Sequence, residues 1–296
     1  MALTMNLFRS SRCLVFCVCM AVAPMPRAAC SRPIVVPASP LGSLFVVNDN
    51  TGAVGGIYAD VLRDYGRRAG CEFVFPIVPR ARAEFMVRNG LADLLVASVQ
   101  VPERDAWGSF VPMLGTEWVL ISYRSDAPPR STDELLEKPD IRFNAVKSFN
   151  DGPAYLAMLA RLDSRHKLEY VNDTETIVRK MLAGRADYTV MPSTIFAGTL
   201  AEMGISDAQR RNFHYSQLDG IPASVAGVYI SSATTKDDAS AIAALLVQIR
   251  QDGQLLSRLR AIFTPDEMAS NFALPMVKLG ARKNRHLRQS PATSDN

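Results

Sequence analysis

Few side chains in this protein carry reactive chemistry, and they are scattered. The three histidines, His166, His214 and His286, stand in polar segments without the spacing of metal ligands, so neither a metal site nor a histidine general base is expected. No nucleophile elbow, glycine-lysine phosphate loop or dinucleotide glycine motif occurs, and no cofactor is expected; only dispersed carboxylates leave room for catalysis. Of the five cysteines, Cys13, Cys17 and Cys19 fall in an amino-terminal apolar run, leaving Cys30 and Cys71. In an oxidising compartment such a pair reads most simply as a disulfide; two free buried thiols, or a lipidated Cys30 with Cys71 alone, are the other readings. The remaining chemistry is basic. Arg80 and Arg82 open a helix directly after a strand, where one can face a ligand and the alternative is a solvated helix start. Lys147-Ser148-Phe149-Asn150 closes a strand ahead of a helix beginning at Pro153, where backbone amides and the helix dipole favour an anion and Phe149 offers a ring for stacking.

Composition places these residues in an ordinary globular chain. Of 296 residues, 48% are hydrophobic and 21% charged, which excludes disorder, collagen and coiled coil. Arg9 and Arg12 precede an apolar run over 13–23, a proline break and the small residues Ala28-Ala29-Cys30, the pattern of a secretory signal over 1–29. The run is too short to span a membrane, and no later segment reaches the ~18 apolar residues a spanning helix needs. Arg27 fits poorly both with cleavage after Ala29 and with a lipoprotein in which Cys30 is acylated. The formal charge of +4 belongs to the ends: the first 29 residues carry three positive charges and 277–296 a net four, so the body between them carries −3. Nucleic acid is therefore not an expected partner.

Local pattern supplies the elements. Strands are expected at 33–36, 73–78 and 94–99, with helices at 60–68 and 80–88 ending at Gly70 and Gly90, the order of βαβ units. Cys30 and Cys71 each precede a strand; if these strands are parallel neighbours the cysteines meet, and closing the loop stabilises the fold by roughly 4 kcal/mol. A second such unit follows: strand 141–146, helix 153–162, strand 168–171, helix 174–183. The two units share an echo, Asn89-Gly90-Leu91-Ala92-Asp93-Leu94 against Ala183-Gly184-Arg185-Ala186-Asp187-Tyr188, and this suggests two lobes. The segment 122–139, with a capping box from Ser131 to Glu134, and the segment 218–222 read as crossings between lobes. A strand at 225–231 and helices at 237–251 and 255–263 follow, then a basic tail over 277–296 without apolar periodicity, read as disordered.

Gly56-Ile57-Tyr58-Ala59-Asp60-Val61-Leu62, the Gly90-to-Asp93 step, Ser98-Val99-Gln100-Val101-Pro102-Glu103-Arg104, the Gly184-to-Asp187 step and the closing helix pair around Gly253 together resemble bacterial extracellular solute-binding proteins of the polar amino-acid class. The resemblance covers residues 31–265. It implies an α/β, two-lobed type II periplasmic-binding fold, each lobe a mostly parallel sheet flanked by helices, that closes on a ligand about hinge strands. The first lobe is then 30–123 with 222–276, and the second is 124–221. The family's carboxylate-binding arginine falls on Arg104, whose guanidinium at the carboxyl end of a strand can grip a carboxylate bidentately, with Ser98 as a hydroxyl donor. A solvated helix-capping role is the alternative for Arg104.

Two departures bear on the ligand. The family's ammonium-pairing aspartate is replaced by Pro192, followed by Ser193 and Thr194, and the threonine ahead of the arginine is Val101. The expected ligand is a small anionic or zwitterionic molecule, an amino acid or an organic acid, held by Arg104, Ser98, Arg80, Arg82, Lys147, Ser148, Phe149 and Ser193. Phe45, Trp118 and Tyr155 are further aromatic candidates. The expected role is that of a monomeric periplasmic protein delivering its ligand to the permease of an ABC-type transporter, with no reaction catalysed. The alternatives are a cyclohexadienyl dehydratase-like lyase on the same fold and a ligand-sensing partner of a membrane receptor.

Overall fold

The computed structural model describes residues 30–48, 50–123 and 128–262; the expected signal and the basic tail lie outside them. The chain enters on β1 (Ile34–Val35) and passes through the antiparallel pair β2 (Val46–Val47) and β3 (Val54–Gly55) into α1 (Ile57–Ala69). That helix begins a turn before the expected 60. Gly56 permits the early start: it sits at φ 94°, and an added Cβ would lie 2.9 Å from the Val46 nitrogen. Ile57, Val61, Leu62 and Tyr65 form the buried stripe of α1, and Gly70 ends it in the left-handed region at φ 71°.

After α1 comes β4 (Phe73–Val74), parallel to β1, and Cys30 and Cys71 form a disulfide just ahead of this pair. The reason is the expected one: parallel neighbours start side by side. The chain continues through α2 (Arg80–Arg88), β5 (Leu94–Val99), the single-turn α3 (Pro102–Asp105), β6 (Gly108–Thr116) and β7 (Trp118–Tyr123). β6 is not legible in the sequence, because Gly108, Pro112 and Gly115 break the alternation, whereas β7 is an unbroken apolar run that the expected elements omit. Then follow α4 (Thr132–Glu137), β8 (Phe143–Val146), α5 (Pro153–Asp163), β9 (Leu168–Val171), α6 (Thr174–Leu182), β10 (Tyr188–Pro192), α7 (Ser193–Glu202), α8 (Asp207–Arg210) and β11 (Phe213–Ser216). The chain closes with β12 (Ser224–Ser231), α9 (Lys236–Gln251) and α10 (Gln254–Ile262). The Ser131 hydroxyl caps α4 through the Glu134 N–H, as the capping box predicts.

Two sheets result. The larger one in the first lobe runs β5-β12-β6, with the separate pair β1-β4 reaching it where the Asp93 N–H, just ahead of β5, donates to the Val35 carbonyl; the other runs β11-β7-β10-β8-β9. The βαβ strands β8, β9 and β10 are parallel, as are β1 and β4, whereas the strands leading into and out of the crossings, β6, β7, β11 and β12, pair antiparallel. The sheets are therefore mixed. The first crossing falls at Glu117, between β6 in one sheet and β7 in the other, so 118–123 pair with the second lobe and not with the first as expected. A strand is assigned by its hydrogen-bonding neighbours, and these are invisible in local pattern.

The echo has a structural cause. In each lobe the glycine ending a helix has positive φ, 69° at Gly90 and 65° at Gly184. The aspartate that follows then ties its strand to the first strand of the βαβ unit, at β1 in one lobe and at the residue before β8 in the other. The Asp93 carboxylate accepts from the Val35 N–H at 2.8 Å, and the Asp187 carboxylate accepts from the Arg142 N–H at 2.8 Å. Each also pairs with an arginine guanidinium, Arg32 in the first lobe and Arg142 in the second. Among the described residues no helix is long and apolar enough to cross a membrane.

Candidate functional site

The carboxyl ends of β5 and β10 and the loop after β8 face one another across a cleft between the lobes, lined among others by Arg80, Ser98, Arg104, Trp118, Phe149 and Thr194. The enclosed space is about 40 Å³, far below the usual range of small-molecule sites, so the lobes must part to admit a ligand. Such crevices at strand carboxyl ends are where open α/β sheets bind ligands.

Arg104 is carried on α3, immediately after β5, and is 2% exposed. Nε and Nη2 bond the two oxygens of Glu84 at 3.0 and 3.1 Å, so one edge of the guanidinium is filled by a carboxylate of the protein itself. The outer donors reach carbonyls of the opposite lobe at longer range, Nη2 to Ser148 at 3.3 Å and Nη1 to Asn150 at 3.4 Å. Arg104 thus bridges the lobes. Tyr229 fixes the segment that carries it: its fully buried hydroxyl accepts from the Val101 N–H at 3.1 Å and donates to Asp105 at 2.8 Å.

Arg80, the first residue of α2, is also buried and reaches back to β5, with Nη1 donating to the Val96 carbonyl at 2.9 Å and Nη2 to the Ser98 hydroxyl at 2.7 Å. All its acceptors are neutral, and its Nε, buried, has no partner. Burial, together with repulsion from Arg104, pulls the guanidinium down to about 10, so it remains charged at neutral pH. Because Ser98 accepts from Arg80, its own hydroxyl proton is free to be donated into the cleft. The backbone before it is strained: Ala97 stands at φ 50° without being glycine.

The opposite wall comes from Ser148, Phe149 and Asn150, with Ser148 at φ 66°. Trp118 packs edge-on against Phe149 and Tyr155, with ring centroids 6.0 and 4.8 Å away. Toward the crossing strands several buried polar atoms have no hydrogen-bond partner: both carboxylate oxygens of Asp151, the hydroxyls of Ser224 and Tyr155, and the Trp118 indole nitrogen. Burial pushes the Asp151 carboxyl up to about 7; the nearby Ser224 hydroxyl opposes this, although no direct bond closes between them.

The structure thus brings Arg104, Ser98, Arg80, Ser148 and Phe149 to one cleft. Arg82 is not there. Two helical positions after Arg80 it points the other way, exposed, with its guanidinium 4.8 Å from the Phe85 ring centroid. Lys147 is likewise exposed and absent from the cleft lining. Ser193 is buried at the start of α7, while its neighbours Pro192 and Thr194 line the cleft. Phe45 packs in the core against Tyr58. Glu84, Asp151 and Tyr229 are absent from the sequence reading. The spacing of Arg80 and Glu84, four apart on α2, signals one helix face, but nothing local signals the other two. Among the described residues no three His, Cys, Asp or Glu side chains are grouped to hold a metal.

No protein-family model matches the sequence, and no curated relative matches it. Solved structures do resemble the fold. An amino acid ABC transporter substrate-binding protein from Streptococcus pneumoniae, bound to L-arginine, matches with a TM-score of 0.63 at 17% identity over 81% of this chain and 96% of its own. A histidine kinase sensor domain with similarity to periplasmic binding proteins matches at 0.62 and 17% identity, covering 78% of this chain and 95% of the other. An ancestral amino acid-binding protein described as a precursor of cyclohexadienyl dehydratase matches at 0.60 and 15% identity, over 78% and 95%. The chain has the α/β type II periplasmic-binding architecture, with mixed sheets flanked by helices.

Proposed function

We propose that this protein is a periplasmic solute-binding protein, which captures a small polar, carboxylate-bearing molecule between its lobes and presents it to an ABC-type membrane transporter. One observation carries the reading. Arg80 and Arg104 lie buried in the cleft with a single paired carboxylate, Glu84, between them, and every acceptor of Arg80 is neutral. A buried charge without a counter-charge is costly, and a ligand anion relieves it. The Ser98 hydroxyl and the outer edge of Arg104 supply the bonds. The anion takes over donors that otherwise reach the Ser148 and Asn150 carbonyls at 3.3 and 3.4 Å, while Glu84 holds the guanidinium in place. Closure buries the ligand, and the fold needs no reaction to perform this role. The secretory pattern of 1–29 and the structural likeness to binding proteins support the periplasmic setting.

The test is a thermal-shift screen of amino acids and organic acids, followed by calorimetry on the best. A binder in the micromolar range is expected, and Arg104→Ala should weaken it by about 2–5 kcal/mol, roughly 30-fold to several thousandfold. A screen with no stabilising member, or an Arg104→Ala protein that binds as tightly as the parent, defeats the proposal. Product formed on incubation with prephenate or arogenate would assign a lyase instead. A receptor ectodomain that binds only the liganded form would place the protein in sensing, the role suggested by the sensor-domain likeness.

A further inference from the structure

Asp151 stands beside the cleft, and the carboxylate reading leaves its state unexplained. It sits in the loop between β8 and α5, next to the cleft-lining Asn150, and the Asn150 side chain accepts from the Gly152 N–H at 2.8 Å, which fixes the loop around it. Both of its oxygens are buried without a donor. Its surroundings are equally unspent. The Tyr155 hydroxyl is buried and unpartnered on a side chain 1% exposed, and the Ser224 hydroxyl, on the crossing strand opposite Thr116, is buried and unpartnered too. Trp118, in contact with Tyr155, offers a ring to the same end of the cleft, and Thr116 and Trp118 both line it. A native protein seldom buries several acceptors together with none satisfied. No cationic side chain is paired with Asp151 among the described residues.

We propose that Asp151, with Tyr155, Ser224 and the Trp118 ring, forms a subsite for a cationic group of the ligand, an ammonium or guanidinium, at the end of the cleft toward the crossing strands. The carboxylate and two hydroxyl oxygens accept its N–H donors, and the indole face attracts its charge. This rests on the capture reading and narrows it: with the anion at Arg104 and Ser98 and the cation at Asp151, the ligand is a zwitterion rather than a simple organic acid. The ammonium partner missing at Pro192 is then supplied from a different loop of the same lobe.

Matched pairs that differ only in the cationic group test this: L-glutamate with glutarate, L-leucine with 4-methylpentanoate, L-phenylalanine with 3-phenylpropanoate, 4-aminobutyrate with butyrate, each titrated by calorimetry. For at least one pair the amino member should bind at least tenfold tighter. Asp151→Asn, close to isosteric, should erase that preference and leave the desamino acid's affinity within about threefold. Tyr155→Phe, which keeps the ring packing, should reduce the preference partially. Equal binding of both members of every binding pair, or an Asp151→Asn protein that keeps the preference, overturns the subsite while capture stands. Failure of every member to bind overturns capture and the subsite together.

Discussion

Asp93 and Asp187 occupy the same place in the echoed segments, and removing their charge should have very different consequences. Asp93 is 3% exposed and accepts four hydrogen bonds, from two Arg32 nitrogens at 2.7 and 2.8 Å, the Val35 N–H at 2.8 Å and the Thr234 hydroxyl at 2.9 Å. Burial raises its carboxyl pKa, but Arg32, the Val35 N–H and Thr234 more than offset this and hold it below the ordinary 3.8. Asp93→Asn puts an amide donor where one oxygen accepts two bonds. At about 1.5–3 kcal/mol for each bond to a charged group, discounted because Arg32 can turn to water, the loss is roughly 3 kcal/mol. The Asp187 pair with Arg142 has side chains 33% and 52% exposed, so Asp187→Asn should cost about 0–1 kcal/mol. For a chain of this size, 1 kcal/mol moves Tm by about 2–4 °C, so the expected drops are about 6–12 °C and less than about 4 °C. Scanning calorimetry of both variants and the parent at pH 7 measures them. The sign in pH is also set. A depressed aspartate stabilises the fold above its unfolded value and loses that contribution as pH falls through the lowered one, so the gap between Asp93→Asn and the parent should narrow below pH 4. Equal losses at pH 7, or a larger loss at Asp187, would refute the reasoning from burial.

Three further outcomes follow from particular contacts. Reducing the Cys30–Cys71 bond, which closes 41 residues, should cost roughly 4 kcal/mol, seen as a Tm drop of about 8–16 °C in the Cys30→Ser/Cys71→Ser protein; a drop under about 2 °C would show the bond to be idle. Since burial raises the Asp151 carboxyl to about 7, the unliganded fold should lose stability as pH rises from about 4 to 7. Asp151→Asn should therefore raise Tm at pH 8 and leave it nearly unchanged at pH 4, with the reverse order counting against a buried, unpaired carboxyl. Tyr229→Phe removes the hydroxyl's bonds to Val101 and Asp105 on either side of Arg104, and ligand affinity should fall by about tenfold with Tm lowered only a few degrees; unchanged affinity would detach Tyr229 from the site.

What the sequence determined by itself is what short-range physics controls. The stripe of α1, the glycine stops at Gly70, Gly90 and Gly184, the Ser131 cap and the alternation of strand and helix are each set within about a turn of chain, and they recur in the structure within a few residues. The disulfide was legible for the same reason, since the cysteines precede strands that such units place side by side. Tertiary structure alone decided the rest. It put 118–123 in the second sheet, turned Arg80 inward and Arg82 outward, and filled one edge of Arg104 with Glu84, 20 residues away. It also brought Tyr229 to Val101 across 128 residues and left Asp151 buried near Ser224 with its oxygens unspent. A side chain's type limits what it can bind. Whether its donors and acceptors are still free depends on partners that folding delivers from far along the chain, and local pattern carries no record of them.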